Sequence, residues 1–202
     1  MSFFIGELKP AHSETARTIA DAVGGDDYVS AEDFLSYVAR SARDGVSCAL
    51  GAWSNSGEML GFRFTLPPGG WTSGRGRGLR PDAWPAPLAS MGYFQSCFVD
   101  PQHTGRGIGR ALSQEALRRL FQLGAKGVVA HSWKESPHNS SRRVLERLGF
   151  RAVAEYPDYW GDIPYHCHAC GGACHCTAVE MVRVNRADDP LFHTPSNVPV
   201  RA

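Results

Sequence analysis

The sequence reads as a mixed α/β domain, and three features say so. Strands and helices interleave in its first third. Mid-chain, a strand runs into a glycine-rich turn and a strong helix, and a strand–helix–strand unit follows. Such alternation makes a mixed sheet with helices packed on it. At 202 residues the length suits one domain with a sizeable core.

In order, Phe3 to Leu8 forms a first strand. Ser13 can cap a helix running to about Val23, which Gly24-Gly25 stops. Ser30 opens a second helix with Asp33 at the capping-box position and Phe34, Leu35 and Val38 as its apolar stripe. Val46–Trp53 and Met59–Leu66 read as strands joined through Ser54-Asn55-Ser56-Gly57. Residues 67–88 hold five glycines and five prolines, so they form a long loop carrying Trp71, Trp84, Arg75, Arg77 and Arg80. That loop is either a wall of the site or a surface excursion.

Met91–Val99 is the next strand, with Phe94, Ser96 and Phe98 on one face and Tyr93, Gln95, Cys97 and Val99 on the other. Gly127–Ser132 is a short apolar strand, and a helix capped by Asn139 or a neighbouring serine runs to Gly149. Arg151–Tyr156 and Thr177–Val184 complete the sheet. The domain spans 1–184; residues 185–202, with three prolines, read as a loose tail.

A net charge of +1 gives no electrostatic case for nucleic acid or anionic membranes. No run approaches the ~18 apolar residues of a membrane span, and the first residues lack a basic leader. A cytoplasmic location is the expectation, where thiols stay reduced. The expected form is a monomer or homodimer.

The stretch FVDPQHTGRGIGRALSQEALRRLFQLG carries the strongest functional signal. Gly105, Gly107 and Gly109 let a bulky anion approach the main chain, and the following helix buries Ile108, Leu112, Ala116 and Leu120 at four-residue spacing. The helix start adds unpaired N–H groups and partial positive charge, while Arg106 and Arg110 supply charge suited to phosphate. No Gly-Lys-Ser/Thr follows, so this is not a P-loop, and the glycine spacing is not that of a dinucleotide fingerprint.

Val99-Asp100-Pro101-Gln102-His103-Thr104-Gly105-Arg106-Gly107-Ile108-Gly109-Arg110-Ala111-Leu112 resembles the acyl-CoA motif of the GNAT N-acetyltransferase superfamily, V-x-P-x-x-[Q/R]-G-x-G-[I/V]-[G/A]-x-x-L. Asn139 through Val144-Leu145-Glu146-Arg147-Leu148-Gly149-Phe150 resembles its second signature. The likeness covers about residues 3–157. It implies a GNAT-like sheet flanked by helices, acetyl-CoA as cosubstrate, and transfer to a primary amine of a small molecule or peptide. It also implies a pantetheine arm against Phe98 and Val99, a pyrophosphate on Gly105 to Arg110, and Asn139 at the second helix start. Two positions depart from the pattern. Thr104 replaces the usual Gln or Arg, and Leu145 replaces a tyrosine that protonates the leaving thiolate.

An attacking ammonium must lose a proton, which makes His131 the first candidate base, with Glu135 and Tyr159 behind it. Asp100 shapes the turn, and Cys97 reads as packing.

The segment HCHACGGACHC places Cys167, Cys170, Cys174 and Cys176 within ten residues. Four thiolates around a Gly-Gly turn suit a closed, structural zinc site; His166, His168 or His175 could replace one of them, and disulfides are the competing reading. A second function remains open: a non-catalytic acyl-CoA sensor or metal-clipped interaction module, favoured by Leu145. A zinc ribbon on nucleic acid ranks last, because Arg183 and Arg186 are the only cations close to the cluster in sequence.

Overall fold

The computed structural model describes residues 2–74, 78–136, 140–186, 188–189 and 198–201. Seven strands form the main sheet: β1 (Phe3–Glu7), β5 (Leu50–Ser54), β6 (Met59–Leu66), β7 (Met91–Val99), β8 (Gly127–Trp133), β11 (Ala178–Val184) and β9 (Arg151–Tyr156), in that spatial order. Short pairs join β2 (Gly25–Asp26) to β10 (His166–Cys167), and β3 (Ala42–Arg43) to β4 (Val46–Ser47). Helices α1 (Ser13–Gly24) and α2 (Ala31–Arg40) cover one face, and α3 (Ile108–Gln122) and α4 (Ser140–Arg147) the other.

Each face has its own core. Phe34, Phe62, Phe64, Trp71 and Tyr93 are buried under α1 and α2, while Leu112, Leu117, Leu120, Val128 and Met181 pack with α3. The predicted α3 stripe of Ile108, Leu112, Ala116 and Leu120 is buried throughout. Helix α2 starts on the predicted capping box: Ser30 Oγ accepts from the Asp33 N–H at 3.0 Å, and Asp33 accepts from the Ser30 N–H at 3.3 Å.

Several expectations need correction. Leu35 is 47% exposed; Phe34 and Tyr37 are the buried residues of α2. A turn at Pro10–His12 puts His12, not Ser13, at the N-cap of α1. The strand expected over Val46–Trp53 is two strands, because Val46–Ser47 turns back on Ala42–Arg43 before β5 begins. Residues 198–201 are not loose: Val200 bridges Ile5, and the Arg201 N–H donates to Ile5 O at 2.8 Å beside β1.

The correction that matters for function lies in β7. Its pairing with β6 slips between Phe64 and Thr65, so Phe64 faces Ser96 and Thr65 faces Phe94, with Gln95 left as a bulge. The extra residue breaks the alternation. Phe98 therefore shares the α1–α2 face with Tyr93, while Phe94, Cys97 and Val99 belong to the α3–α4 face.

Candidate active site

All neighbours in the main sheet are antiparallel except β7 and β8, whose parallel pairing runs only from Met91↔Gly127 to Phe94↔Ala130. Beyond that point each strand keeps its outer partner, β6 or β11, but not the other. The two strands part, and residues 95–99 turn an unpaired main-chain edge into the gap.

Asp100 closes the turn after β7 by accepting from the Gln102 N–H at 2.8 Å, as expected. Gly105 and Gly107 sit at φ 76° and 79°, a left-handed conformation that favours glycine, and a Cβ on either would meet nothing within 4 Å. Gly107 is the N-cap of α3, so the N–H groups of Ile108, Gly109 and Arg110 have no acceptor within the helix.

Turn and gap form one cleft of about 660 Å³. Of the expected cofactor contacts, Phe98, Val99, Thr104, Gly105, Gly107, Ile108, Gly109 and Arg110 line it. Arg106 does not: its guanidinium reaches back to Gln102 O at 3.5 Å. Asn139 lies outside the described residues, as do Arg75 and Arg77. Leu145 lines the cleft with a buried aliphatic side chain.

His131, whose side chain is 2% exposed, stands on β8 just past the parting point and lines the cleft. Its Nδ1 is 2.9 Å from the Tyr93 hydroxyl, its Nε2 is 3.4 Å from Glu180 Oε2, and Tyr159 stacks on its ring at 4.4 Å. The structure thus brings Tyr159 to His131. Glu135 goes elsewhere: it is exposed and accepts from the Thr177 N–H at 3.0 and 3.2 Å.

Glu180 escaped the sequence reading. Its carboxylate is fully buried and accepts from Trp84 Nε1 at 2.7 Å and from the Arg80 N–H at 3.1 and 3.2 Å. The described part of the 67–88 loop therefore lines no part of the cleft but packs behind it, against the residues that surround His131. Trp71 stacks on Tyr93 at 4.7 Å, and a Cβ on Gly74 would collide with the Tyr159 hydroxyl. Burial pushes the Glu180 carboxyl up, but the contacts with His131, Trp84 and the Arg80 N–H outweigh it and leave it below the ordinary range. Burial and the Glu180 charge push the Tyr156 hydroxyl up to about 12.

A carboxyl whose folded value is depressed stabilises the fold above its unfolded value of about 4.3, and that contribution fades as pH falls through the folded value. Glu180→Gln should cost about 1–3 kcal/mol at neutral pH, or roughly 2–4 °C of Tm per kcal/mol. The difference from the parent protein should narrow as pH drops below about 4, which calorimetry across pH 3–7 reads directly.

Arg63 was also missed. It is buried with its guanidinium 3.8 Å over the Phe94 ring and Nε 3.2 Å from Ser113 Oγ, and it lines the cleft. Nothing in the strand pattern MLGFRFTL marks its one cation as inward-facing.

The four cysteine sulfurs all lie within 4.8 Å of one another, with Cys167–Cys176 at 3.9 Å and Cys170–Cys176 at 3.6 Å. All are free thiols. His175 pairs with Asp158 and His168 with Asp26, so neither joins the sulfur cluster. The turn is the expected one: Gly171 has φ 69°, and its N–H donates to Cys167 O at 2.9 Å. The lobe is anchored through β10 on β2, where a Cβ on Gly25 would strike His166 O.

The family model described as "Acetyltransferase (GNAT) family" matches residues 24–150. No curated protein matches the chain in sequence. Among solved structures, Ard1 from Thermoplasma volcanium superposes with a TM-score of 0.66 at 16% identity, over 92% of this chain and 99% of that one. The ribosomal-protein-S18-alanine N-acetyltransferase from Escherichia coli gives 0.62 at 16%, over 93% and 97%. The Salmonella typhimurium protein yncA, solved with its cofactor acetyl-CoA, gives 0.63 at 17%, over 94% and 98%. At such identities the neighbours speak for the fold, but the family model spans well over half of the 202 residues, and the chain belongs to the GNAT acetyltransferase family.

Proposed function

We propose that the protein transfers an acetyl group from acetyl-CoA to a primary amine by direct attack. The observation that carries this is the continuity of the glycine turn with the gap between β7 and β8. One end of the cleft offers unpaired helix N–H groups to a diphosphate, and its middle offers a bare strand edge to an amide-bearing arm. Gln95 Nε2 and Ser96 Oγ are buried there without a hydrogen-bond partner, which fits a ligand that brings its own polar groups.

The amine lone pair attacks the thioester carbonyl, the C–S bond breaks, and the amine proton passes to His131. The resulting imidazolium lies between the Tyr93 oxygen and the Glu180 carboxylate, both placed to stabilise it. It then returns the proton to the leaving thiolate, so no hydroxyl is required at Leu145.

The four cysteines are proposed to hold one structural zinc. A zinc–sulfur bond of about 2.3 Å sets tetrahedral edges near 3.8 Å, which the Cys167–Cys176 and Cys170–Cys176 separations of 3.9 and 3.6 Å bracket. Four thiolates close the shell, so the metal takes no part in the transfer.

Calorimetric titration with coenzyme A tests the cradle. Gly107→Val puts a branched carbon into the open space of the turn at a left-handed φ, and should weaken coenzyme A binding at least ~100-fold with little change in far-UV dichroism. Unchanged affinity in that variant would remove the reading.

A further inference from the structure

The cleft passes through the sheet, and its two ends differ in chemistry. On the α3–α4 side it meets Arg63, Arg110, Arg143 and Arg147, each on or against α3 or α4. On the α1–α2 side its wall is Tyr28, Phe98, Trp133, Trp160 and Tyr165, with His131 at the waist and, among the described residues, no lysine or arginine. Ring contacts close that wall: Tyr28 meets Tyr165 at 4.9 Å and Phe98 at 5.7 Å, both edge-on. Every one of the chain's 20 Asp and Glu residues is among those described, and none lines the cleft. Glu180, which meets His131, is fully buried and committed to Trp84 and the Arg80 N–H.

We infer that the acceptor is an arylalkylamine, a single primary amine on an aromatic body; this rests on the acyl-transfer reading above. A polyamine or aminoglycoside brings several ammonium groups, and each one buried here would find no carboxylate. A peptide brings main-chain N–H and C=O groups that need partners, and the aromatic wall supplies rings instead. Flat rings pack edge and face against such a wall, and an ammonium entering beside it gains from the ring faces before it sheds one proton to water and, on attack, the second to His131.

The test is a rate comparison with acetyl-CoA and four acceptors: 2-phenylethylamine, tryptamine, spermidine and kanamycin, with a phenylalanine-led tetrapeptide as a fifth arm. The two arylalkylamines should exceed the other three in kcat/KM by at least about tenfold, and Trp160→Leu and Tyr28→Leu should each raise their KM about tenfold while leaving coenzyme A affinity in place. Preference for spermidine, kanamycin or the peptide overturns the inference and keeps the transferase. If no acceptor turns over, calorimetry with 2-phenylethylamine on the coenzyme A complex decides. Binding that Trp160→Leu weakens upholds the pocket while the transferase reading falls; absence of binding overturns the inference.

Discussion

Stripping the metal from the cysteine lobe, or replacing Cys176 with serine, is expected to produce the largest loss of stability of any single change. The four sulfurs crowd within 4.8 Å, three of the cysteines are buried, and without a cation nothing bonds these sulfurs to one another. Metal-binding energies in small thiolate sites run on the order of 10–16 kcal/mol, and only part of that would appear here, because the α3–α4 core contains no lobe residue and the α1–α2 core, although it takes in Cys167, Cys174 and Cys176, is built mainly from the sheet and helices. A loss of several kcal/mol lowers Tm by about 10 °C or more in a chain of this size. The damage should reach function in a particular order. Cys167 and Cys176 line the cleft beside Tyr165, and β10 ties the lobe to the end of α1. Amine KM should therefore rise before coenzyme A affinity falls. Scanning calorimetry with and without a strong chelator, together with elemental analysis, checks the claim; metal-free reduced protein with an unchanged Tm would refute it.

The parts of the site that sequence made legible are those built from neighbouring residues. Gly105, Gly107 and Gly109 announce a bend whose backbone must stay bare, and the cysteines with Gly171-Gly172 announce a loop folded on itself. The four-residue spacing from Ile108 to Leu120 fixes the buried side of α3. What stayed hidden comes from distant pairings. Glu180 reads as an ordinary polar position in AVEMVRV, because its partners Trp84 and Arg80 lie about a hundred residues earlier. A lone acid flanked by Ala178, Val179, Met181 and Val182 is the one signal that could have flagged it. The bulge at Gln95 depends on how β6 and β7 meet, so strict alternation put Phe94 and Phe98 on one face when they belong to opposite faces. Glycine and proline in the 67–88 loop marked an irregular segment, but not that Trp71 and Trp84 would drive it into the core.

His131→Ala should reduce kcat by roughly 10²–10⁴ while leaving coenzyme A affinity within about twofold. The split follows from position. His131 lies where the strands have parted, and the diphosphate cradle is built from main chain at the far end of the cleft. Removing the imidazole takes away the proposed proton acceptor, so the fall should appear in kcat and in kcat/KM alike. A purely structural histidine would behave differently: its loss would lower Tm and weaken both substrates together. His131→Asn keeps a polar group near Tyr93 and Glu180 but cannot take up the proton, so it should recover most of the stability and none of the rate. Recovery of both would assign the ring to packing and move the proton acceptor to water or to the amine's own equilibrium.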